Sequence, residues 1–348
     1  MKTLINIIPT LENGGAENVL VRLVNEFSEL GIHQIVITIQ GSTHDFNYDR
    51  IISSCEVIHF KTEPKRVKAI FKQFPNASAV AWMYKAIYFT HKWKRLFNTN
   101  QQIFWNIRHS NFGPNQWYQK IMLHLFGLGT HIFKPKIIYC SYKSKEVHEK
   151  AFFTKERSKV IVNRLAKNIH LEESAQESKK EDYFLFVGRF NSQKGPQHLK
   201  NILRAFYQRY KTPEIWIAGN GWDMNYFPSS LRSHVKLLGN RKDIYSLYQN
   251  AKALLFTSTF GEGYPNVLVE AAVMGLPIIA FDAGDAKKIL ANYSLGYNVE
   301  NEVIFYEKLV WLVNNSPSNN QRHSAAIQQR EALDFSLTLN EYKAFIDL

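Results

Sequence analysis

Residues 253–281 read A-L-L-F-T-S-T-F-G-E-G-Y-P-N-V-L-V-E-A-A-V-M-G-L-P-I-I-A-F, and they leave few folds open. Leu254, Leu255 and Phe256 form a short apolar run of the buried-strand kind. Residues 257–263 make a loop with two glycines. Pro265 fits the first helical position, where its missing N–H costs nothing. Val267, Leu268, Ala271 and Ala272 then give a helix its apolar face, Gly275 and Pro277 stop it, and residues 278–281 form the next strand. The unit is β-α-β, with a glycine loop at a helix N-terminus, where anions are held.

Two carboxylates stand eight positions apart in this unit, Glu262 in the loop and Glu270 in the helix. A helix N-terminus favours the phosphates of a nucleotide. A carboxylate beside it suits the hydroxyls of a ribose. On spacing alone, two solvated glutamates explain the pattern equally well. The full string E-G-Y-P-N-V-L-V-E-A goes further. It resembles the E-x7-E signature of retaining glycosyltransferases of the GT-B fold, in particular glycosyltransferase family 4.

A chain of 348 residues suggests two domains. Nothing approaches the run of roughly 18 apolar residues that a membrane span requires. Met1-Lys2-Thr3-Leu4 leads into a strand and not into a signal peptide. Cys55 and Cys140 are the only cysteines, which argues against a disulfide scaffold and for a reducing compartment. No cysteine and histidine spacing suits zinc, and no metal site is expected. The net charge of +13 is unevenly shared: residues 1–170 carry the whole excess and residues 171–348 are neutral. A basic half suits nucleic acid, anionic lipid or a phosphorylated acceptor.

Along the chain, residues 4–8 read as the first strand, and Gly14-Gly15 as a tight turn. A helix follows whose face holds Ala16, Val19, Leu20, Leu23, Val24, Phe27 and Leu30. This is a Rossmann-type opening without the G-x-G-x-x-G spacing, which argues against a nicotinamide site. Gly14 and Gly15 would let the backbone approach a sugar or diphosphate, or merely turn the chain. Further strands are expected at 57–60, 79–83, 103–107 and 137–140. Residues 61–72 and 85–97 supply nine Lys and Arg, with Trp93 and Phe97 among them. Residues 117–133 read as a helical stretch interrupted by Gly127 and Gly129. Two or three of these elements suit a membrane surface, with aromatic rings inserted and cations on lipid phosphates. The alternative is aromatic core and solvated lysines. A helix at 144–153 and a polar linker at 171–181 complete the first half.

The second half matches the family in order. Gly188-Arg189 with Lys194 resembles its phosphate-binding G-R-x4-K, and Gly219-Asn220-Gly221 resembles its A-G-x-G turn. The resemblance covers residues 183–290 closely and 1–165 more loosely. It implies an α/β GT-B architecture, two Rossmann-like domains facing each other across a cleft. Residues 1–165 would form the basic, acceptor-side domain and 166–330 the nucleotide-sugar domain. Residues 331–348 would form a helix packing back on the first domain. It implies a metal-independent retaining transferase taking a nucleotide sugar, a UDP-sugar in preference to a GDP-sugar, with no cofactor. The acceptor would be a glycan or a lipid-linked glycan, in envelope polysaccharide assembly. The enzyme would be cytoplasmic and peripheral on an anionic membrane surface, with no nucleic-acid partner.

Catalytic roles fall on His109, Glu262, Arg189 and Lys194. With no D-x-D metal motif, Arg189, Lys194 and the helix beginning near Pro265 would neutralise the leaving diphosphate. Glu262 would hold donor-sugar hydroxyls, Glu270 the ribose, and His109 would face the sugar. Donor contacts also fall on Gly14, Gly15, Gly188, Gly219, Gly263, Tyr264, Pro265, Asn266 and Val267. The chain departs from the family at Arg164-Leu165, at Asp285 and at Lys288. The last two put the loop over the donor in doubt and keep a non-catalytic sugar-nucleotide binder open. A nucleic-acid binder would account for the charge but not for the neutral half with its phosphate-and-ribose pattern.

Overall fold

The computed structural model describes residues 2–113, 116–165 and 182–348. The chain divides into two compact units, Met1–Asn163 with Ser336–Leu348, and Arg164–Phe335. The boundaries expected from sequence were 165/166 and 330/331. The linker expected at 171–181 lies outside the described residues.

The first unit runs β1 (Thr3–Ile8), α1 (Gly15–Glu29), β2 (His33–Thr38), β3 (Glu56–His59), α2 (Pro64–Gln73), β4 (Ser78–Trp82) and α3 (Met83–Phe97). It continues with β5 (Gln102–Ile107), α4 (Trp117–Phe133), β6 (Lys136–Tyr139), α5 (Tyr142–Lys150) and β7 (Ser158–Val160). Its seven strands pair in the order β3-β2-β1-β4-β5-β6-β7, all parallel. Helices cover both faces of such a sheet, so its strands are nearly continuous apolar runs. In β1, Leu4, Ile5, Ile7 and Ile8 are all buried.

The second unit runs β8 (Tyr183–Val187), α6 (Pro196–Tyr207), β9 (Glu214–Ala218), α7 (Ser229–Arg232), β10 (Val235–Gly239), α8 (Ile244–Asn250) and β11 (Ala253–Phe256). It goes on through α9 (Asn266–Val273), β12 (Ile278–Phe281), α10 (Ala286–Leu290), β13 (Gly296–Val299), α11 (Glu302–Asn314) and α12 (Asn319–Ala332) to the start of α13 (Phe335–Phe345). Its six strands pair in parallel, in the order β10-β9-β8-β11-β12-β13.

From Ser336 on, the C-terminal segment belongs to the first unit. Asn106 Nδ2 donates to Tyr342 Oη at 3.0 Å, and Thr338 Oγ1 donates to the Val162 carbonyl at 3.0 Å. Lys136 Nζ pairs with Asp347 Oδ2 at 2.6 Å.

Several sequence expectations need correction. Leu30 lies past the end of α1 and is exposed, because the helix stops one residue earlier and Gly31 takes φ +76°. α4 is not interrupted by its glycines. Gly127 is there because a Cβ would stand 1.9 Å from the Ala151 carbonyl oxygen, so it lets the helix approach that backbone. The helix expected at 144–153 starts earlier and stops at Lys150, with Ser141 Oγ capping it by accepting from the Ser144 N–H at 2.9 Å. Trp93, assigned to a membrane surface, is 2% exposed and packs on Phe60 and Phe71 in the core. Pro265 is the N-cap of α9 and not its first helical residue.

Candidate active site

In open parallel sheets, ligands bind outside the carboxyl ends of the strands where the strand order reverses. In the second unit that point lies between β8 and β11, neighbours in the sheet although β9 and β10 intervene in the chain. The segments leaving these two strands are 188–195, which carries the G-R-x4-K pattern, and 257–265, which carries the first glutamate of the E-x7-E pattern.

The first segment is held tightly. Gly188 N–H donates to the Ala218 carbonyl and Phe190 N–H to the Asn220 carbonyl, which lays this turn on the 219–221 turn. Gly219, at φ +142°, could carry no side chain, since a Cβ would stand 2.2 Å from the Gly188 oxygen. Trp222 Nε1 donates to that same oxygen at 2.9 Å. Asn191 Oδ1 accepts from the Lys194 N–H at 3.0 Å and starts a short 3-10 turn, Ser192–Lys194. Thr257 Oγ1 donates to the Lys194 and Gly195 carbonyls at 2.9 and 3.2 Å, clamping the turn against the end of β11.

At this point Lys194 Nζ meets Glu262 Oε1 at 2.7 Å, both side chains largely buried. The two patterns, read separately in the sequence, thus converge on one ion pair. Arg189, expected to act with Lys194, is exposed and forms no ion pair among the described residues. Glu270 is half-buried in α9, and Tyr248 Oη donates to its Oε2 at 2.9 Å. Burial, and then the Glu270 charge, push the Tyr248 phenol well above its ordinary range, so it remains a donor. Gly263 and Pro265 are buried, and Tyr264, Asn266 and Val267 half-buried, around the N-terminus of α9.

Asp285 departs from the family pattern yet is integrated. Its N–H donates to the Gly263 carbonyl at 2.9 Å, and it is buried before α10. Gly284 beside it takes φ +64°, where a Cβ would stand 2.3 Å from the Gly263 oxygen. Lys288 is exposed.

The first unit holds the remaining assigned residues. Gly14 is the N-cap of α1 with extended backbone, and Gly15 is the helix's first residue. Neither has a positive φ, so neither position demands glycine for its backbone. His109 follows β5, and its ring lies among Tyr84, Phe112 and His148 at centroid distances of 5.1, 4.8 and 5.5 Å. Its Nε2 is buried and has no hydrogen-bond partner among the described residues. Burial pulls its pKa down to about 4, so the ring is neutral at pH 7. His148 is pulled down to about 3, by burial first and then by the His109 charge. Its Nδ1 lies 2.7 Å from the Ser144 carbonyl and must donate there, so Nε2 accepts from Tyr84 Oη at 2.6 Å.

These two histidines set a pH dependence. Their folded pKa values lie below the unfolded value of about 6.5, so between those limits the unfolded chain binds more protons. Stability from keeping them neutral is complete above pH 6.5 and is lost as pH falls toward 4 and then 3. The melting temperature of the protein should therefore be level from pH 7 to 8 and decline from about pH 6.5 downward. Scanning calorimetry across that range checks it, and a level profile down to pH 5 would contradict the burial.

Sequence reasoning missed Tyr248, Thr257 and Trp222. Tyr248 stands 22 positions before the carboxylate it holds, and no local periodicity ties them. The one available signal was that a tyrosine in a buried helix face needs a hydroxyl partner.

Structures similar over 99% of this chain and 98% of their own include Anabaena HepE in complex with UDP, at TM-score 0.74 and 18% identity. The lipopolysaccharide-biosynthesis glycosyltransferase WaaG covers 98% of this chain and 99% of its own, at TM-score 0.69 and 16% identity. The fold is GT-B. Within this GT-B chain, residues 181–315 match the family model "Glycosyl transferases group 1". An uncharacterized glycosyltransferase of Methanocaldococcus jannaschii is 26% identical over 160 residues, 42% of this chain and 39% of that protein. The Campylobacter jejuni GalNAc-alpha-(1->4)-GalNAc-alpha-(1->3)-diNAcBac-PP-undecaprenol alpha-1,4-N-acetyl-D-galactosaminyltransferase is 35% identical over 96 residues, 26% of each chain. The chain thus aligns with well under half the length of either relative.

Proposed function

We propose that this protein is a retaining glycosyltransferase that moves a sugar from a nucleotide sugar to a glycan or lipid-linked acceptor, in envelope polysaccharide assembly. The observation that carries the reading is the Lys194–Glu262 pair at the strand-order reversal of the second unit. The matched family model and the relatives named above support it. A UDP-sugar is the proposed donor, in line with the UDP bound by Anabaena HepE.

The chemistry follows from the site. Charge builds on the diphosphate oxygen as the anomeric bond breaks. A fixed cation aimed at that oxygen lowers the barrier without reorganising. Lys194, with Arg189 and the N–H groups of the α9 N-terminus, would fill this role without a metal. On donor binding, a phosphate oxygen would take Glu262's place on Lys194, and the released carboxylate would turn to a sugar hydroxyl. Glu270, oriented by Tyr248, would accept from the ribose diol. His109 belongs to the first unit, and its buried Nε2 would have to be uncovered before it could meet a sugar hydroxyl.

The test is mass spectrometry of products from a panel of nucleotide sugars and lipid-linked acceptors, in EDTA. Transfer from one donor, with the anomeric configuration kept by NMR, is expected. Donor binding without transfer in any pairing would leave the non-catalytic binder, and transfer restored only by manganese or magnesium would overturn the metal-free chemistry.

A further inference from the structure

Arg108 is a half-buried charge held entirely by neutral groups. It directly follows β5, at the carboxyl end of the first sheet. Its guanidinium lies 5.3 Å from the centroid of the Trp82 ring, at the end of neighbouring β4. Nη2 donates to Asn163 Oδ1, and Nη1 lies 3.5 Å from Tyr342 Oη. None of these partners is an acid, and Arg108 forms no ion pair among the described residues. Arg66 and Arg241, by contrast, both pair with carboxylates.

The surroundings offer no counter-charge and keep the group still. No Asp or Glu occurs between Glu63 and Glu146, a stretch that carries fourteen Lys and Arg. Trp82 Nε1 donates to Asn6 Oδ1 at 3.2 Å, and Asn6 Nδ2 donates to Gln34 Oε1 at 3.2 Å. This neutral chain fixes the ring under the guanidinium across β4, β1 and β2. Asn106 Nδ2 donates to Tyr342 Oη at 3.0 Å, which fixes the second support. Joining α13 to the end of β5 needs no charge, since a neutral amide can donate to the same oxygens. A cation taken partly from water with no anion beside it costs stability. That cost is recovered when a ligand brings the anion. The bonds to Asn163 and Tyr342 leave further N–H groups of the fork, whose plane matches two oxygens of a phosphate or carboxylate.

We infer that Arg108 is the docking point of the first unit for an oxyanion, a phosphate or carboxylate group carried by the acceptor glycan. The acceptor as the source of that anion rests on the transferase reading, and the anion site itself does not. If Arg108 were only a tie between α13 and β5, it would not respond to anions.

The test is nitrogen–proton NMR of the arginine Nε–Hε groups of the full chain, at constant ionic strength. The Arg108 peak is identified by its loss in Arg108→Gln and again in Arg108→Lys, which keeps the charge. Methyl phosphate and acetate are the probes, with chloride as the control. A saturating shift is expected with one of them, at an affinity about tenfold or more above that of chloride. Methyl phosphate as the stronger probe would make the ligand a phosphorylated glycan, and acetate would make it a uronate. The shift should persist in Lys194→Ala, which removes the cation of the second unit. A peak that moves no more than in chloride, or a shift lost in Lys194→Ala, would overturn the proposal. Calorimetry with UDP on the same protein reports the transferase reading separately: no UDP binding beside a responding Arg108 would sink that reading and keep the anion site.

Discussion

Lys194→Ala should lower transfer turnover by about 10²–10³-fold, the cost of removing one preorganised donor to a developing oxyanion. It should also weaken nucleoside diphosphate binding by about 1.5–3 kcal/mol, the scale of a charged hydrogen bond. A third effect distinguishes it from the exposed Arg189. Lys194 neutralises Glu262, whose side chain is 10% exposed, so its loss leaves that carboxylate unpaired in a poorly hydrated place. Lys194→Ala should therefore lower the melting temperature as well. Arg189→Ala should weaken binding with the melting temperature unchanged, since Arg189 supports no described contact. Calorimetry and thermal denaturation of both variants separate the roles. Unchanged diphosphate binding in Lys194→Ala would remove that residue from the site.

Arg322→Met should destabilise the second unit by about 3 kcal/mol or more, two charged hydrogen bonds at the lower figure. The guanidinium is buried in α12 and donates to four carbonyls. Nε reaches Gly275 at 3.1 Å, Nη1 reaches Ala251 at 3.1 Å, and Nη2 reaches Gln249 and Tyr248 at 3.1 and 3.4 Å. These are the orphan carbonyls around the end of α8 and after α9, which have no partners within their own helices. Burial lowers the Arg322 pKa, but the carbonyl dipoles supply what water would. Tyr248 and Glu270 belong to the same two helices, so the variant should also weaken nucleotide binding. Chemical denaturation with a two-unit fit measures the first effect. A loss below 1 kcal/mol would show that water replaces the guanidinium.

The amino-acid sequence by itself determined what local physics can determine. Buried parallel strands need unbroken apolar runs, and Leu254–Phe256, Ile278–Phe281 and the residues of β1 announce them. Turns that need positive φ or close approach need glycine, so Gly219 and Gly221 marked the turn after β9. The E-x7-E spacing placed two carboxylates at one strand end and one helix start.

Tertiary structure alone decided who partners whom and which faces are inside. Lys194 and Glu262 meet across 68 positions, and Arg322 caps carbonyls up to 74 positions away. No periodicity encodes such pairs, because they depend on strand order and not on spacing. Trp93 and the outer face of α4, where Ile121, Leu125 and Leu128 are exposed, show the same limit from the other side. Both belong to segments that mix aromatic and basic residues, and hydrophobicity cannot tell a buried ring from an exposed one. Packing made the choice: α3 turns Trp93 onto Phe60 and Phe71. α4, apolar on two faces, could bury only the one that carries Gly127, whose missing side chain lets it close on Ala151.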